Sequence, residues 1–360
     1  MANTNYGVND PLAVKLWSKK LSVEALKETQ AAKFMGTDSG SLIQIKDETQ
    51  KSAGDKITYG LRMQLTGAGI LGDGTLEGNE EALTTYSDSV LLNQLRHAVR
   101  SAGRMSQQRV PFDVRMEALS GLRDWWADRF DFAFFNQIAG NTVQTDTRYT
   151  GNNATIAPDG IPSGATATSG HYYNVHLTGD DSSLTSADTL VISVFDAAVE
   201  RAKTLTPAIR PVRTQGKDFY VGFLHPYQVT AMRTNTNTGQ WFDIQKAAET
   251  GGELEDNPIF TGALGVYNGV IMHSDYRVPV GCVSTTAYAN TRRGVVCGAQ
   301  AAMLAFGRDN GPERYTWVEE LFDYENELGV SGGTIFGLKK TVFNSTDFST
   351  VVVSSYATGK

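Results

Sequence analysis

A mixed α+β fold is what these 360 residues predict. Three patterns carry that prediction. Two alternating runs flank a glycine-rich turn between residues 54 and 112. One unbroken helical period follows residue 113. From residue 189 onward, short apolar runs first interleave with helical ones and then stand alone.

Residues 1–53 read as an N-terminal arm. Asn9 or Asp10 can cap a helix, Pro11 suits its first turn, and Leu12, Leu16 and Trp17 form a stripe. A second helix is predicted from Ser22, with Val23, Leu26 and Phe34 on its apolar side. Such an arm packs on its own domain or on a neighbour, and the sequence leaves both open.

Residues 54–112 read as a long hairpin. Lys56 to Leu65 alternates polar and apolar residues, and a second run is expected from about Ser89 to Val110. The tip between them has glycine at 67, 69, 72, 74 and 78, with only Ile70, Leu71 and Leu76 as apolar contacts. An arm of this length cannot fold onto its own core, so it needs a partner surface. The candidate inter-subunit contacts are therefore Gly67, Ile70, Leu71, Leu76, Glu77 and Glu80. Gly67-x-Gly69-x-x-Gly72, with Asp88 downstream, imitates a dinucleotide-binding fingerprint. That motif needs a helix starting at the glycines to face the pyrophosphate, and Asp73, Gly74 and Gly78 interrupt one.

Residues 113–140 carry the strongest helical signal. Asp113 caps a run in which Leu119, Leu122, Trp125, Trp126, Phe130 and Phe134 recur at helical spacing, and Gly140-Asn141 ends it. At 1.5 Å per residue the helix is about 40 Å long. Arg123, Asp124, Asp128 and Arg129 fall between the aromatics without forming a basic face, so these rings are read as core and not as a base-stacking platform.

Residues 141–188, rich in Thr, Gly, Asn, Ser and Asp, read as a polar surface excursion or small insertion. Residues 189–299 form an α/β region. A helix starts at Ser186 or Asp188 and stops at Pro207, the strand Phe219–Leu224 leads through His225-Pro226 into a helix Tyr227–Arg233, and strands follow at Val270–His273 and Gly294–Cys297. Residues 300–360 supply late strands at Met303–Phe306, Arg314–Phe322, Gly333–Val342 and Thr350–Ser354. A long helix and late strands thus frame a central α/β insertion.

Composition excludes several function classes. A net charge of −7 argues against a strongly basic nucleic-acid-binding surface. No eighteen-residue apolar run can span a membrane, and Met1 to Gly7 lacks signal-peptide character. Cys282 and Cys297 are too few for a disulfide scaffold and are expected as buried, reduced thiols. The five histidines form no metal motif, with His171 and His176 merely sharing a polar loop, and no cofactor or metal is expected. There is no nucleophile elbow and no phosphate loop. The acidic runs Glu253 to Asp256 and Glu319-Glu320 read as solvated faces. The chain is therefore not read as an enzyme. A paired-carboxylate hydrolase and an oligomeric receptor- or carbohydrate-binding surface protein, using 141–188 as its loop, stand as alternatives.

The order of these elements resembles the major capsid proteins of tailed double-stranded-DNA phages, a herpesvirus-related fold. Several stretches are similar to the branch from podoviruses carrying a giant virion RNA polymerase: Gly54 to Leu65, Leu76 to Leu83, Asp124-Trp125-Trp126-Ala127, Asn257 to Gly265 and Gly337 to Phe343. The resemblance implies an N-arm (1–53), an E-loop (54–112), a P-domain spine helix (113–140), an A-domain (189–299) and P-domain strands with a C-terminal tail (300–360). It implies pentamers and hexamers of an icosahedral virion, assembled in the host cytoplasm and expanding as DNA enters. Its partners would be further copies of itself, a portal protein and packaged double-stranded DNA held without sequence-specific binding. Whether a decoration protein binds is left open. The nine residues before Asp10 are too few for the helical scaffolding segment of some relatives, so a separate scaffolding protein is expected. Some capsids of this fold crosslink lysine to asparagine from the hairpin tip. Between Lys56 and Lys203 this chain has no lysine, so no such bond is expected.

Overall fold

The computed structural model describes residues 21, 24–25, 29–46, 54–62, 65, 67–111, 113–158, 172–174, 181–205, 208–214, 216–234, 264–307 and 314–359. In chain order these form β1 (Met35–Gly36), β2 (Ile43–Lys46), β3 (Lys56–Arg62), β4 (Thr85–Leu91), β5 (Asn93–Arg100), α1 (Arg104–Arg109), α2 (Val114–Ile138) and β6 (Tyr172–Asn174). There follow α3 (Ser193–Thr204), β7 (Val212–Thr214), β8 (Lys217–Leu224), α4 (Pro226–Thr234), β9 (Gly265–Tyr267), β10 (Val270–Ser274), β11 (Val280–Val283) and β12 (Thr286–Cys297). The last group is β13 (Ala302–Phe306), β14 (Thr316–Phe322), β15 (Glu327–Lys340), β16 (Val342–Phe343), β17 (Thr346–Asp347) and β18 (Thr350–Tyr356).

Two sheets organise the molecule. The first runs β1-β2-β13-β15-β14, with β5 pairing along β15. The second runs β6-β18-β12-β8-β10-β9, with β11 added to β12 and β7 to β8. Helix α2 is 25 residues long, and its aromatic side faces both sheets in one continuous core. Leu119, Leu122, Trp126, Phe130 and Phe134 are buried, while Trp125 is partly buried against the same core. The Asp113 carboxylate accepts from the Arg115 N–H at 2.9 Å and starts the helix. At its end Gly140 takes φ 61°, and the Asn141 N–H returns to the Asn136 carbonyl.

The second sheet is buried on both faces, which is why β8 reads as a continuous apolar run. Val221 and Phe223 join the α2 core, whereas Tyr220 and Leu224 pack with α3 and α4.

Five elements of the chain differ from the sequence reading. The second hairpin run is not one strand. Thr85–Leu91 pairs with β3, the chain changes partner at Leu92, Asn93–Arg100 pairs with β15, and Arg104–Arg109 is helical. Phe34 does not continue the predicted helix from Ser22. Thr29 is extended, and a separate 3₁₀ turn, Gln30–Phe34, is held by the Asp131 carboxylate, which accepts the Gln30 and Ala31 N–H groups. Most of the predicted arm helices lie outside the described residues, but Leu21, Ala25 and Phe34 are buried in this chain's own core. Residues 35–46 also add β1 and β2 to the first sheet, with Ile43 opposite Ala302. Third, the helix expected from Ser186 or Asp188 begins only at Ser193, and Asp188 instead closes a turn on Thr185.

Fourth, residues 141–158 lie only partly at the surface. Thr150 and Asn153 are buried, and the Gln137 amide donates to both of their carbonyls. Asp181 is also buried, in an ion pair with Arg293 at 2.7 Å. Residues 159–171 and 175–180 lie outside the described residues. Fifth, the last strand does not stay with the other late strands. Thr350–Tyr356 crosses to the second sheet, antiparallel to β12.

Candidate assembly surface

The hairpin has a fixed root and a bare tip. Strands β3 and β4 pair from Lys56 opposite Leu91 to Arg62 opposite Thr85. Alternation turns Ile57 and Tyr59 inward, where they pack with Val90, Leu92, Met303, Ala305 and Phe343. The Tyr59 ring meets Phe343 edge-on at 5.8 Å. Gly337 lets the strands close, because a Cβ there would sit 2.1 Å from the Leu91 carbonyl oxygen.

Asp88 is the polar centre of this root. It accepts from the Tyr59 hydroxyl at 2.8 Å, from the Val342 N–H at 3.3 Å and from Lys339 Nζ. Lys339 donates again to the Ser89 carbonyl at 3.1 Å. Burial, and then the adjacent Asp88 charge, raise the Tyr59 phenol far above its ordinary value, so it remains a donor. Asn153 clamps the strand end, accepting from the Leu91 N–H at 2.9 Å and donating to its carbonyl at 3.0 Å.

Beyond Thr85 the ladder stops. Residues 67–84 form two local turns, with N–H groups of Gly74 and Asn79 donating to the carbonyls of Leu71 and Leu76. Gly69, Gly72 and Gly78 take positive φ. The carboxylates of Glu80 and Glu81 accept the N–H groups of Gly78 and Gly67. No helix begins at the glycines, so the phosphate-cradling reading has no structural basis. Ile70, Leu71 and Leu76 are 40%, 93% and 62% exposed, and Gly67, Glu77 and Glu80 are exposed with them. Docking side chains of this size is worth about 1.5–3 kcal/mol each when fully buried.

In helix α2 the aromatic side chains are engaged within the chain. Trp125 stacks on His97 at 4.5 Å, with the Arg129 guanidinium 4.8 Å from its ring. Its acidic residues instead build a joint. Arg277, from the loop after β10, reaches Asp128 at 2.5 Å and both Asp131 and Asp275 at 3.3 Å. Asp131 also holds the 3₁₀ turn, so residues 30–34, α2 and the loop after β10 meet at one carboxylate.

Signs of catalysis are lacking among the described residues. No group of His, Cys, Asp and Glu is placed to hold a metal ion there, and His171 and His176 lie outside those residues. Burial, then the Arg292 charge, push His225 down to about 4; its Nδ1 accepts from the Tyr227 N–H at the start of α4. Cys282 and Cys297 are buried free thiols. Glu319, expected on a solvated face with Glu320, is buried instead, accepting from Trp317 Nε1 at 2.9 Å and pairing with Arg115. The run from Glu253 to Asp256 lies outside the described residues. No helix among the described residues is long and apolar enough to cross a membrane.

Sequence reasoning missed Asp88 as a root residue, together with Asn153, Asp131 and Arg277. Lys339 was legible only as part of the Gly337–Phe343 run.

Comparison with known proteins bears on this geometry. A family model described as phage capsid protein matches residues 5–359. The major capsid protein of Pseudomonas phage KPP25 is 29% identical over 348 residues, covering 92% of this chain and 89% of that one. The capsid of Ralstonia phage GP4 superposes with a TM-score of 0.79 at 30% identity, covering 99% of each chain. The Cyanophage Pam1 capsid asymmetric unit shares the fold, with a TM-score of 0.70 at 19% identity over 100% of this chain and 95% of that one.

Proposed function

The chain belongs to the phage capsid protein family, and from that premise we propose that it builds the pentamers and hexamers of an icosahedral head enclosing double-stranded DNA. It is a major capsid protein of a tailed phage, a structural component of the virion and not an enzyme, and it has the tailed-phage capsid fold. Residues 54–112 act as the E-loop, 113–140 as the spine helix, and 189–299 as the A-domain, joined there by β18. The remaining late strands complete the peripheral wall with the arm strands β1 and β2. Assembly proceeds around a separate scaffolding protein, a portal occupies one vertex, and DNA is enclosed without sequence-specific contacts. The runs quoted from Gly54, Leu76, Asp124, Asn257 and Gly337 favour the podovirus branch with a giant virion RNA polymerase; the accompanying genome should encode such an enzyme.

The observation that carries this reading is the contrast between root and tip. The hairpin is locked at Asp88, Lys339 and Phe343, yet it projects Leu71 and Leu76 into solvent. A rigid arm ending in exposed apolar side chains is built to lie on another copy. Negative-stain microscopy of the purified protein tests it. Shells, sheets or capsomer rings are expected, and a strictly monomeric protein at all concentrations would overturn it.

A further inference from the structure

At Leu92 the chain passes between two ladders. Residues up to Leu91 pair with β3 of the hairpin, and residues from Asn93 pair with β15 of the first sheet. From Leu91 to Thr85 the hairpin ladder runs about 20 Å at about 3.3 Å per residue, so a tilt of about 10° at Leu92 moves its far end by about 3.5 Å. The apolar seat of Ile57, Tyr59, Val90 and Phe343 resists withdrawal of the hairpin but is non-directional. Holding the tilt takes directional contacts at the pivot itself.

The loop 150–153 supplies them on both sides of Leu92. Before it, Asn153 Oδ1 accepts the Leu91 N–H at 2.9 Å and Asn153 Nδ2 donates to the Leu91 carbonyl at 3.0 Å, as the peptide of a neighbouring strand would. After it, Asn152 Nδ2 donates to the carbonyls of Asn93 at 3.2 Å and Phe336 at 2.8 Å, the pair that closes the β5–β15 ladder. The loop is fixed in turn to helix α2. Buried Gln137 donates to the Thr150 and Asn153 carbonyls at 2.7 and 3.0 Å, and its Oε1 accepts the Lys340 N–H at 3.3 Å. Backbone conformation completes the fit. Gly151 and Asn152 take φ of 69° and 64°, and a Cβ on Gly151 would lie 2.5 Å from the Leu338 Cβ. Asparagine tolerates the left-handed region better than most residues, and here that conformation sets its amide over two strand ends.

We propose that Asn152 and Asn153 are positioning residues of the hairpin: they bracket Leu92 and fix the angle at which the arm leaves the first sheet, taking that angle from helix α2. Asp88 and Lys339 seat the hairpin against the end of β15, whereas the two asparagines refer its pivot to α2 through Gln137. Both act through the backbone on either side of Leu92. The consequence for assembly rests on reading the hairpin as an inter-subunit arm: rings of copies close only where each arm sets the same rotation.

Distances between spin labels test it on unassembled subunits. Labels at Thr85→Cys, the end of the hairpin ladder, and at Asp124→Cys, exposed on α2, report the angle, and the buried thiols of Cys282 and Cys297 stay unlabelled in the folded chain. In this labelled parent, Asn152→Gly keeps a residue suited to the left-handed backbone and removes the amide, so the variant should melt close to the parent. Its distance distribution should nevertheless broaden about two-fold, the added spread being what a tilt at Leu92 gives the ladder's far end. Asn153→Ala should broaden it further, and Ala154→Gly, at the exposed next residue, should leave it unchanged. If Asn153→Ala fails to fold, Asn152→Gly alone decides. Parent-like widths in the folded variants, or equal broadening in Ala154→Gly, would overturn the proposal. Microscopy of assembled products gives a second readout, in which the parent should form shells of one diameter and Asn152→Gly a spread of diameters and open sheets. Broadened distances with parent-like shells would overturn the role in assembly. If the parent forms no shell, sheet or ring, the assembly reading fails, while the subunit distances still decide the bracket.

Discussion

Replacing Asp88 with alanine should loosen the hairpin from its root, and the structure sets the size of the effect. Asp88 and Lys339 are only 10% and 15% exposed at their side chains, and the same carboxylate serves the Tyr59 hydroxyl and the Val342 N–H. Removing it strands a largely buried ammonium and leaves three donors, the Tyr59 hydroxyl and the Val342 and Ser89 N–H groups, without their acceptor. Breaking a fully buried pair by deleting one partner costs 3–5 kcal/mol, so with this residual exposure Asp88→Ala should cost about 3 kcal/mol. Urea unfolding of unassembled subunits measures it, as a lower midpoint at unchanged slope. Adding Lys339→Met removes the stranded charge, so the double variant should recover about half of the loss. A single-variant loss under about 0.5 kcal/mol, or a double variant no better than the single, would refute the assignment of Asp88 as the root.

Three further outcomes are expected. Burial raises the Asp131 carboxyl from 3.8 to about 6, against the lowering effects of the Ala31 and Gln30 N–H groups and Arg277, with Asp275 raising it further. The folded chain therefore holds that proton more tightly than the unfolded one, and this contribution to stability is lost as pH rises from 3.8 through about 6. Between about pH 4 and pH 7 wild type should lose about 2 kcal/mol relative to Asp131→Asn; parallel urea midpoints for the two proteins would contradict this. Gly337→Ala, whose Cβ meets the Leu91 carbonyl oxygen at 2.1 Å, should destabilise by about 2 kcal/mol or more and disturb assembly; a neutral urea midpoint would show that the root is not tight. Boiled particles should give one band near 39.1 kDa on a denaturing gel, because the tip has no lysine, and a reductant-resistant ladder would show otherwise.

The sequence made some elements plain and hid others, for identifiable reasons. Helix α2 was legible because period, cap and stop agree: Asp113 accepts from Arg115, six core residues recur at helical spacing, and Gly140 takes the left-handed conformation. The root strand β3 was legible because Ile57 and Tyr59 alternate with exposed Lys56, Thr58 and Gly60. The change of partner at Leu92 left only a shift of phase, the inward side moving from Val90 and Leu92 to Leu95 and Val99 across exposed Asn93 and Gln94, and that shift does not say that the pairing passes from β3 to β15. The destination of β18 was hidden for the same nonlocal reason: Val351, Val352 and Val353 are buried on both faces and would suit either sheet. Asn153 and Thr150 looked like loop composition because hydrogen bonds hold them, the Asn153 side chain to the Leu91 backbone of β4 and the Gln137 side chain of α2 to the Thr150 carbonyl, a pattern no periodicity records. Asp131 has no periodic signal that sets it apart, although it is the acid that ties residues 30–34 to α2.

The central claim is that the hairpin tip is completed by another copy of the chain. Amide deuterium exchange over residues 67–83, compared between unassembled subunits and assembled shells, tests it most directly. The tip's hydrogen bonds are local and its apolar side chains are exposed, so its amides should exchange quickly in free subunits. In shells they should be protected, while the root strands β3 and β4 are protected in both states. Equal, fast exchange of the tip in both states would contradict the account.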